Sequence, residues 1–127
     1  MNPAPIPLRL GAALAMAAVT VLLSVLPGVP IEGDTQFQWH LGAVPPVLQN
    51  VMHVVFYALL YASWAWALED TRLASFILAA TVFAFGLLLE LAQLQVPGRF
   101  ASVLDGALNG TGVALGYLAW RAGRPAR

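Results

Sequence analysis

The sequence has 127 residues, of which 60% are hydrophobic and 9% are charged, and its formal net charge is zero. This balance excludes a disordered chain and is unusual for a soluble domain. The absence of a basic face argues against nucleic acid as a partner. The sequence contains no cysteine, which excludes disulfides, thiol nucleophiles and thiolate metal sites.

Four apolar runs predict four membrane spans, because each nears the ~20 residues that a helix needs to cross the hydrocarbon core. They cover residues 10–26, 47–68, 73–94 and 102–120. The first run resembles a signal peptide, but residues 27–30 offer no small-x-small cleavage site, which favours an uncleaved span. The predicted fold class is therefore all-α: one polytopic membrane domain over residues 1–127, folded as a bundle of four transmembrane helices.

The arginines predict the orientation, because cytoplasmic loops of membrane proteins carry an excess of basic residues. With both termini on the cytoplasmic side of the membrane, one arginine lies outside and five lie inside. The outer one is Arg99, and the inner ones are Arg9, Arg72, Arg121, Arg124 and Arg127. Residues 27–46, which are rich in Pro and Gly and lack basic residues, then form an outer loop.

Two connections carry smaller predictions. Residues 27–46 are interpreted as an ordinary connecting loop rather than a binding lid, with Phe37 and Trp39 reaching the membrane interface, where aromatic rings are favoured. In the short polar turn at residues 69–72, Asp70 is predicted to cap the third helix through its side-chain oxygen.

The polar residues of the last three spans recur at helical spacing. His53 and Tyr57 are four residues apart, Glu90 and Gln93 three, and Asp105 and Asn109 four, so each pair shares one helix face. In the predicted topology these faces all lie toward the outer side, beneath the turn that contains Arg99. Ionisable groups are costly in the membrane and mark functional sites by default. The candidate polar site comprises His53, Tyr57, Glu90, Gln93, Arg99, Ser102, Asp105 and Asn109.

Simpler interpretations of the same residues stay open. Glu90 and Arg99 would also suit a structural ion pair, His53 a hydrogen-bonded core histidine, and Asn109 a polar contact between helices. Four glycines of the last span form two small-xxx-small pairs, which usually indicate close helix packing; they are Gly106, Gly110, Gly112 and Gly116. One His with two carboxylates would suit a divalent metal, but the spacing across separate helices is uninformative. We therefore predict no metal and no cofactor.

Several short motifs together resemble the VanZ-like family of small bacterial membrane proteins. They are His53-x-x-x-Tyr57, Glu90-x-x-Gln93, Pro97-Gly98-Arg99, Ser102-x-x-Asp105 and Asn109-x-x-Gly112. The resemblance covers roughly residues 47–120. It implies a multi-pass protein of the bacterial inner membrane that is connected with the cell envelope, and a link to resistance against the glycopeptide antibiotic teicoplanin, without implying a reaction. In one departure, Gln49-Asn50 stands where the family commonly has Asp-Lys.

Three functions compete. The first is a non-enzymatic envelope protein whose outer cluster binds membrane lipid, a lipid-linked cell-wall precursor or a partner helix. The second is a small intramembrane enzyme acting on a lipid-linked substrate, with His53, Glu90 or Asp105 as acid and base and Arg99 on a phosphate. The third, ranked lowest, is a proton or ion carrier, for which four spans are few unless the protein forms a homo-oligomer.

Overall fold

The computed structural model describes residues 4–30, 32, 40–69, 71, 73 and 75–123. It contains four long helices: α1 (Ile6–Val25), α2 (Pro46–Ala67), α3 (Ser75–Gln93) and α4 (Val103–Ala122). A single 3₁₀ turn, Leu41–Ala43, precedes α2. The described residues contain no strand. The predictions made for Phe37, Trp39, Asp70, Arg72, Arg124 and Arg127 fall outside the described residues.

The helix starts follow from local chemistry. Pro5 and Pro45 immediately precede α1 and α2, and each of these helices has a proline in its first turn, where a fixed φ favours helix and the missing N–H costs nothing. Ser102 caps α4, since its hydroxyl accepts hydrogen bonds from the backbone N–H groups of Leu104 at 3.1 Å and Asp105 at 3.4 Å. Ser102 is thus the residue before α4, and its side chain caps the N-terminus of that helix.

α1 begins four residues earlier than the apolar run predicted, and this places Arg9 inside the fold. Arg9 is 3% exposed, and its guanidinium forms an ion pair with Glu69 and donates a hydrogen bond to the Trp66 carbonyl. Both partners lie at the end of α2. A buried arginine requires such partners, because removing its charge from water is costly. The ion pair fastens the start of α1 to the end of α2.

α2 is the central helix, and it contacts α1, α3 and α4. Its buried residues Tyr57, Leu60, Tyr61 and Ala65 form the core together with residues from α3 and α4. The Tyr61 ring meets the Tyr117 ring of α4 edge-on, with centroids 6.0 Å apart, an arrangement that aromatic quadrupoles favour. The core therefore lies along the second half of α2, from Tyr57 to Ala65.

α2 and α4 approach each other backbone to backbone. A Cβ atom added at Gly112 would lie 2.4 Å from the Val54 carbonyl oxygen, and one added at Gly116 would lie 2.7 Å from the Ala58 oxygen. The two contacts advance in the same direction along both helices, so α2 and α4 run parallel. Small residues permit this approach, as they do between helices in membranes.

The outer surface of the helices is apolar. Large exposed hydrophobic residues occur on every helix, including Leu22, Val47, Leu88 and Leu118. Among the described helices, α1, α2 and α3 are long and apolar enough to cross a membrane. These features are those of a multi-pass membrane protein. α4 has a comparable length but is less apolar, because it contains Asp105, Asn109 and several glycines. These residues face the neighbouring helices.

Candidate functional site

Four segments bring polar side chains to one end of the helices: the last turns of α1 and α3, the first turns of α2, and the turn between α3 and α4. Together they line a cavity of about 60 Å³, here called the polar pocket. Its polar lining residues are Thr20, Ser24, Gln49, His53, Tyr57, Glu90, Gln93 and Arg99, and its apolar ones are Leu23, Leu41, Met52 and Phe56. The start of α4 closes one side of this cluster through Asp105 and Asn109.

Asn109 connects the helices beneath the pocket. It is fully buried, its Oδ1 lies 2.7 Å from Nδ1 of His53, and its Nδ2 donates to Oε1 of Glu90 at 3.2 Å. The Glu90 carboxylate only accepts, which fixes which way the Asn109 carboxamide points. The Asn109 oxygen therefore accepts a hydrogen bond from the Nδ1–H of His53. In the neutral ring this leaves the Nε2 lone pair of His53 free to face the cluster.

His53, Glu90 and Asp105 come together from three helices. His53 Nε2 lies 3.8 Å from Oδ1 of Asp105. One nitrogen or oxygen atom from each of the three residues lies within 4.8 Å of the others. Residues on separate helices thus form one compact group of an imidazole and two carboxyls. Such a group can exchange protons, bind a cation or position a polar ligand.

Glu90 is hydrogen-bonded to Asn109 through only one of its two carboxylate oxygens. The residue is 6% exposed, and its Oε2 is buried without a hydrogen-bond partner among the described residues. An unsatisfied buried carboxylate oxygen is costly. This atom is therefore available to a water, a ligand or an ion.

Arg99 and Gln93 also present unused polar groups to the pocket. The anticipated ion pair between Glu90 and Arg99 is absent, since Arg99 has no carboxylate within 4.0 Å among the described residues. Gln93 is 3% exposed, and in the same part of the chain its carboxamide makes no hydrogen bond. The structural ion-pair interpretation is therefore wrong, and both side chains are available to a bound molecule.

The other predicted residues have packing or capping positions. Tyr57 is buried between Gly86 of α3 and Gly112 of α4, and both glycines would clash with its side chain if they carried a Cβ atom. Ser102 and Asp105 do not line the polar pocket. Gly106 and Gly110 face the side chains of Leu87 and Phe83 on α3, whereas Gly112 and Gly116 face the backbone of α2. The two small-xxx-small pairs thus meet different neighbours.

The contacts between the loops beside the polar pocket were not predicted from the sequence. Gly28 N–H donates to the Pro97 carbonyl at 2.9 Å, and Leu41 N–H donates to the Pro27 carbonyl at 2.8 Å. These bonds join the end of α1, the 3₁₀ turn and the α3–α4 turn into one structure, here called the loop clasp. Gly98 has φ +70°, a conformation that favours glycine. The two Pro-Gly pairs signal turns, but nothing local in the sequence indicates that the turns meet.

A family model described as VanZ/LLP1 matches residues 12–124. The chain belongs to the VanZ/LLP1 family. The predicted resemblance is confirmed, and the match extends into the first helix, beyond the 47–120 on which the motifs lie. No curated protein sequence and no solved structure matches the chain.

Two adjacent residues distinguish this VanZ/LLP1 chain from the pattern that the resemblance implies. Gln49-Asn50 stands in place of Asp-Lys. Gln49 donates from its carboxamide to the carbonyls of Leu41 at 3.1 Å and Val44 at 2.8 Å, and so fastens the 3₁₀ turn to α2. Asn50 does not line the polar pocket. The cation among the pocket's lining residues is Arg99, supplied by the α3–α4 turn.

Proposed function

We propose that this VanZ/LLP1 protein is a non-enzymatic, multi-pass protein of the bacterial cytoplasmic membrane that binds the phosphate group of a lipid or of a lipid-linked cell-wall precursor in the polar pocket. One observation carries the proposal: Arg99 lines the pocket and has no carboxylate partner among the described residues. Arginine suits phosphate because its planar fork of donors matches two phosphate oxygens at once.

The size of the pocket limits what it holds. Its volume of about 60 Å³ corresponds to roughly four water-sized sites at ~15 Å³ each. A small polar group such as a phosphate suits that space, and the remainder of a larger ligand would extend out of the pocket. The hydrocarbon chain of the ligand would lie outside, along the apolar helix surfaces. A role in glycopeptide susceptibility would then act through the lipid-linked precursor and not through capture of the drug.

The arrangement of the helices supports four crossings with the pocket toward the outside. α4 runs parallel to α2 and in close contact with it, with Gly112 against Val54 and Gly116 against Ala58. If α2 crosses the membrane, α4 lies at the same depth and crosses with it. The arginine distribution then favours cytoplasmic termini, which places Arg99 and the loop clasp on the outer side.

The lipids that remain on the purified protein test the binding. The protein is extracted in mild detergent, and retained lipids are counted by native mass spectrometry for wild type, Arg99→Gln and Arg121→Gln. Arg121 is the matched control, because it is an exposed arginine of α4 that hydrogen-bonds Tyr117 at 2.9 Å. We expect Arg99→Gln alone to lose phosphate-bearing lipids, about tenfold or more. Equal retention by all three proteins would overturn the proposal.

A second measurement addresses the envelope. In a susceptible bacterial host, expression of the wild-type protein is expected to lower teicoplanin susceptibility, and Arg99→Gln is expected to remove the effect at equal protein level. Arg121→Gln should behave as wild type. An effect that persists in Arg99→Gln would separate the resistance role from the polar pocket.

An intramembrane enzyme is the second candidate, favoured by the 3.8 Å approach of His53 Nε2 to Asp105 Oδ1. A histidine beside a carboxylate can accept and return a proton, and Arg99 would hold the phosphate. Incubation of the purified protein with a polyprenyl diphosphate and assay of released phosphate decides this. Release by the wild type that is lost in His53→Gln would favour the enzyme over the binding protein.

A further inference from the structure

We infer that His53, Glu90 and Asp105 form a binding site for one divalent transition-metal ion at the base of the polar pocket. The inference is independent of the proposed function, because it concerns the metal alone. It begins from the juxtaposition of one imidazole nitrogen and two carboxylate oxygens from α2, α3 and α4, all within 4.8 Å of one another.

The spacing of these atoms suits a single ion after a small closure. Ligands bound at about 2.1 Å lie no more than about 4.2 Å apart around the ion. His53 Nε2 and Asp105 Oδ1 are already 3.8 Å apart. The three ligand atoms lie within 4.8 Å of one another, so small side-chain rotations bring all of them within that limit.

The hydrogen bonds around the cluster orient it as a metal site requires. A histidine that binds a metal through one nitrogen usually donates its other N–H to a nearby oxygen. Here His53 Nδ1 donates to Asn109 Oδ1 at 2.7 Å, which leaves Nε2 directed at Asp105. The same Asn109 holds Glu90 by Oε1 at 3.2 Å. One buried carboxamide therefore aligns two of the three ligands.

One further atom of the cluster is available to an ion. Oε2 of Glu90 is buried and has no hydrogen-bond partner in the described part of the chain. Glu90 is 6% exposed and lines the polar pocket, so an ion that enters the pocket can reach this carboxylate.

Charge selects the class of ion. Two carboxylates and a neutral imidazole carry a formal charge of −2, which a divalent cation neutralises, and Arg99 does not pair with either carboxylate. Carboxylates suit Mn²⁺ and Mg²⁺, and imidazole suits Zn²⁺, Fe²⁺ and other transition metals. The mixed set therefore favours Mn²⁺ or Zn²⁺ over Mg²⁺ or Ca²⁺.

The test uses Mn²⁺ alone and chelator-treated protein in detergent. Titration followed by the electron paramagnetic resonance signal of free Mn²⁺ should give one bound ion per chain. Glu90→Gln and Asp105→Asn should each weaken binding at least tenfold. Glu32→Gln is the matched control, since it removes an exposed carboxylate outside the cluster, and it should bind as wild type.

A measurement on the wild type alone keeps the inference testable if a variant fails to fold. Pulsed resonance of bound Mn²⁺ should show coupling to one histidine nitrogen, and Zn²⁺ should displace the signal. No saturable Mn²⁺ binding, or bound Mn²⁺ without nitrogen coupling, would overturn the metal site. Lipid retention measured with chelator present separates this outcome from failure of the phosphate-binding proposal.

Discussion

Asn109 determines the arrangement of the polar cluster at the residue scale. Its carboxamide uses the oxygen for His53 and the nitrogen for Glu90, and each of those side chains thereby keeps one atom directed at the shared space. The sequence interpretation treated Asn109 as one polar contact between helices among several. Its position between two ionisable residues gives it a larger effect on both geometry and stability.

Asn109→Ala should therefore destabilise the protein. It leaves a partly buried imidazole N–H and a buried carboxylate oxygen without partners, at a cost of about 1–3 kcal/mol. Thr111→Ala is the control on the same helix, because Thr111 is exposed and bonds only the Ala107 carbonyl within α4. Thermal unfolding in detergent measures both variants. Equal melting temperatures would contradict the role assigned to Asn109.

Glu90→Gln should leave the folded state intact. The structure contains no ion pair between Glu90 and Arg99 for the change to break, and a carboxamide can still accept from Asn109. Glu90 is buried and the neighbouring Asp105 is partly exposed, so removal of the Glu90 charge should keep the melting temperature at or above that of wild type while Mn²⁺ binding weakens. Circular dichroism on heating provides the measurement, with Asp105→Asn as a parallel variant. A decrease as large as that of Asn109→Ala would identify Glu90 as a structural residue.

At the scale of elements, the parallel contact between α2 and α4 is the closest approach among those that the glycines of α4 make. Gly112→Ala places a methyl group 2.4 Å from the Val54 carbonyl oxygen, whereas Gly106→Ala places one 3.5 Å from a Leu87 methyl. Gly112→Ala must therefore push the backbones of α2 and α4 apart, whereas Gly106→Ala makes an ordinary van der Waals contact.

Gly112→Ala should consequently lower the unfolding free energy by about 1–3 kcal/mol, as overpacking does. Gly106→Ala should be neutral or stabilising by roughly 0.5–1 kcal/mol, because alanine favours helix over glycine. Denaturant or thermal unfolding of the matched pair in one detergent measures the difference. The reverse order of stabilities would show that α4 does not pack on α2 through Gly112.

The sequence could predict the elements because apolar runs and proline-glycine turns are local signals. It could also align polar residues on helix faces, since that follows from 3.6 residues per turn. It could not predict which polar groups would pair. Arg9 lies just before the predicted first span, outside the apolar run, yet it is buried against Glu69. Glu90 and Arg99 are close in sequence but do not pair, and the Glu90 carboxylate instead accepts from Asn109, 19 residues away on a different helix.

The orientation is a prediction at the scale of the whole molecule. The chain has no cysteine, so single introduced thiols report their own position. Phe100 is 82% exposed on the α3–α4 turn, and Gly123 is exposed at the end of α4. Gly98 is less suitable, because its φ of +70° would strain a cysteine.

Phe100→Cys should react with a membrane-impermeant maleimide in intact spheroplasts, and Gly123→Cys should react only after lysis. The reason is the five-to-one excess of arginines on the predicted cytoplasmic side. Reaction with a membrane-permeant maleimide checks that both thiols are accessible. Labelling of Gly123→Cys in intact spheroplasts would place the termini outside and reverse the topology.

The pairing of α2 with α4 has a consequence for how the protein is made. His53 and its partner Asn109 are 56 residues apart, so a ribosome adding about 5–20 residues per second takes about 3–11 s to supply the second after the first. During that interval α2 lacks the hydrogen bond from His53 to Asn109 and the packing of the α4 glycines against its backbone. α1 has already been synthesised, so α1 and α2 can pair before α4 is present. A ribosome that stalls before α4 would therefore leave an intermediate with a polar face toward lipid, which membrane quality-control proteases can recognise.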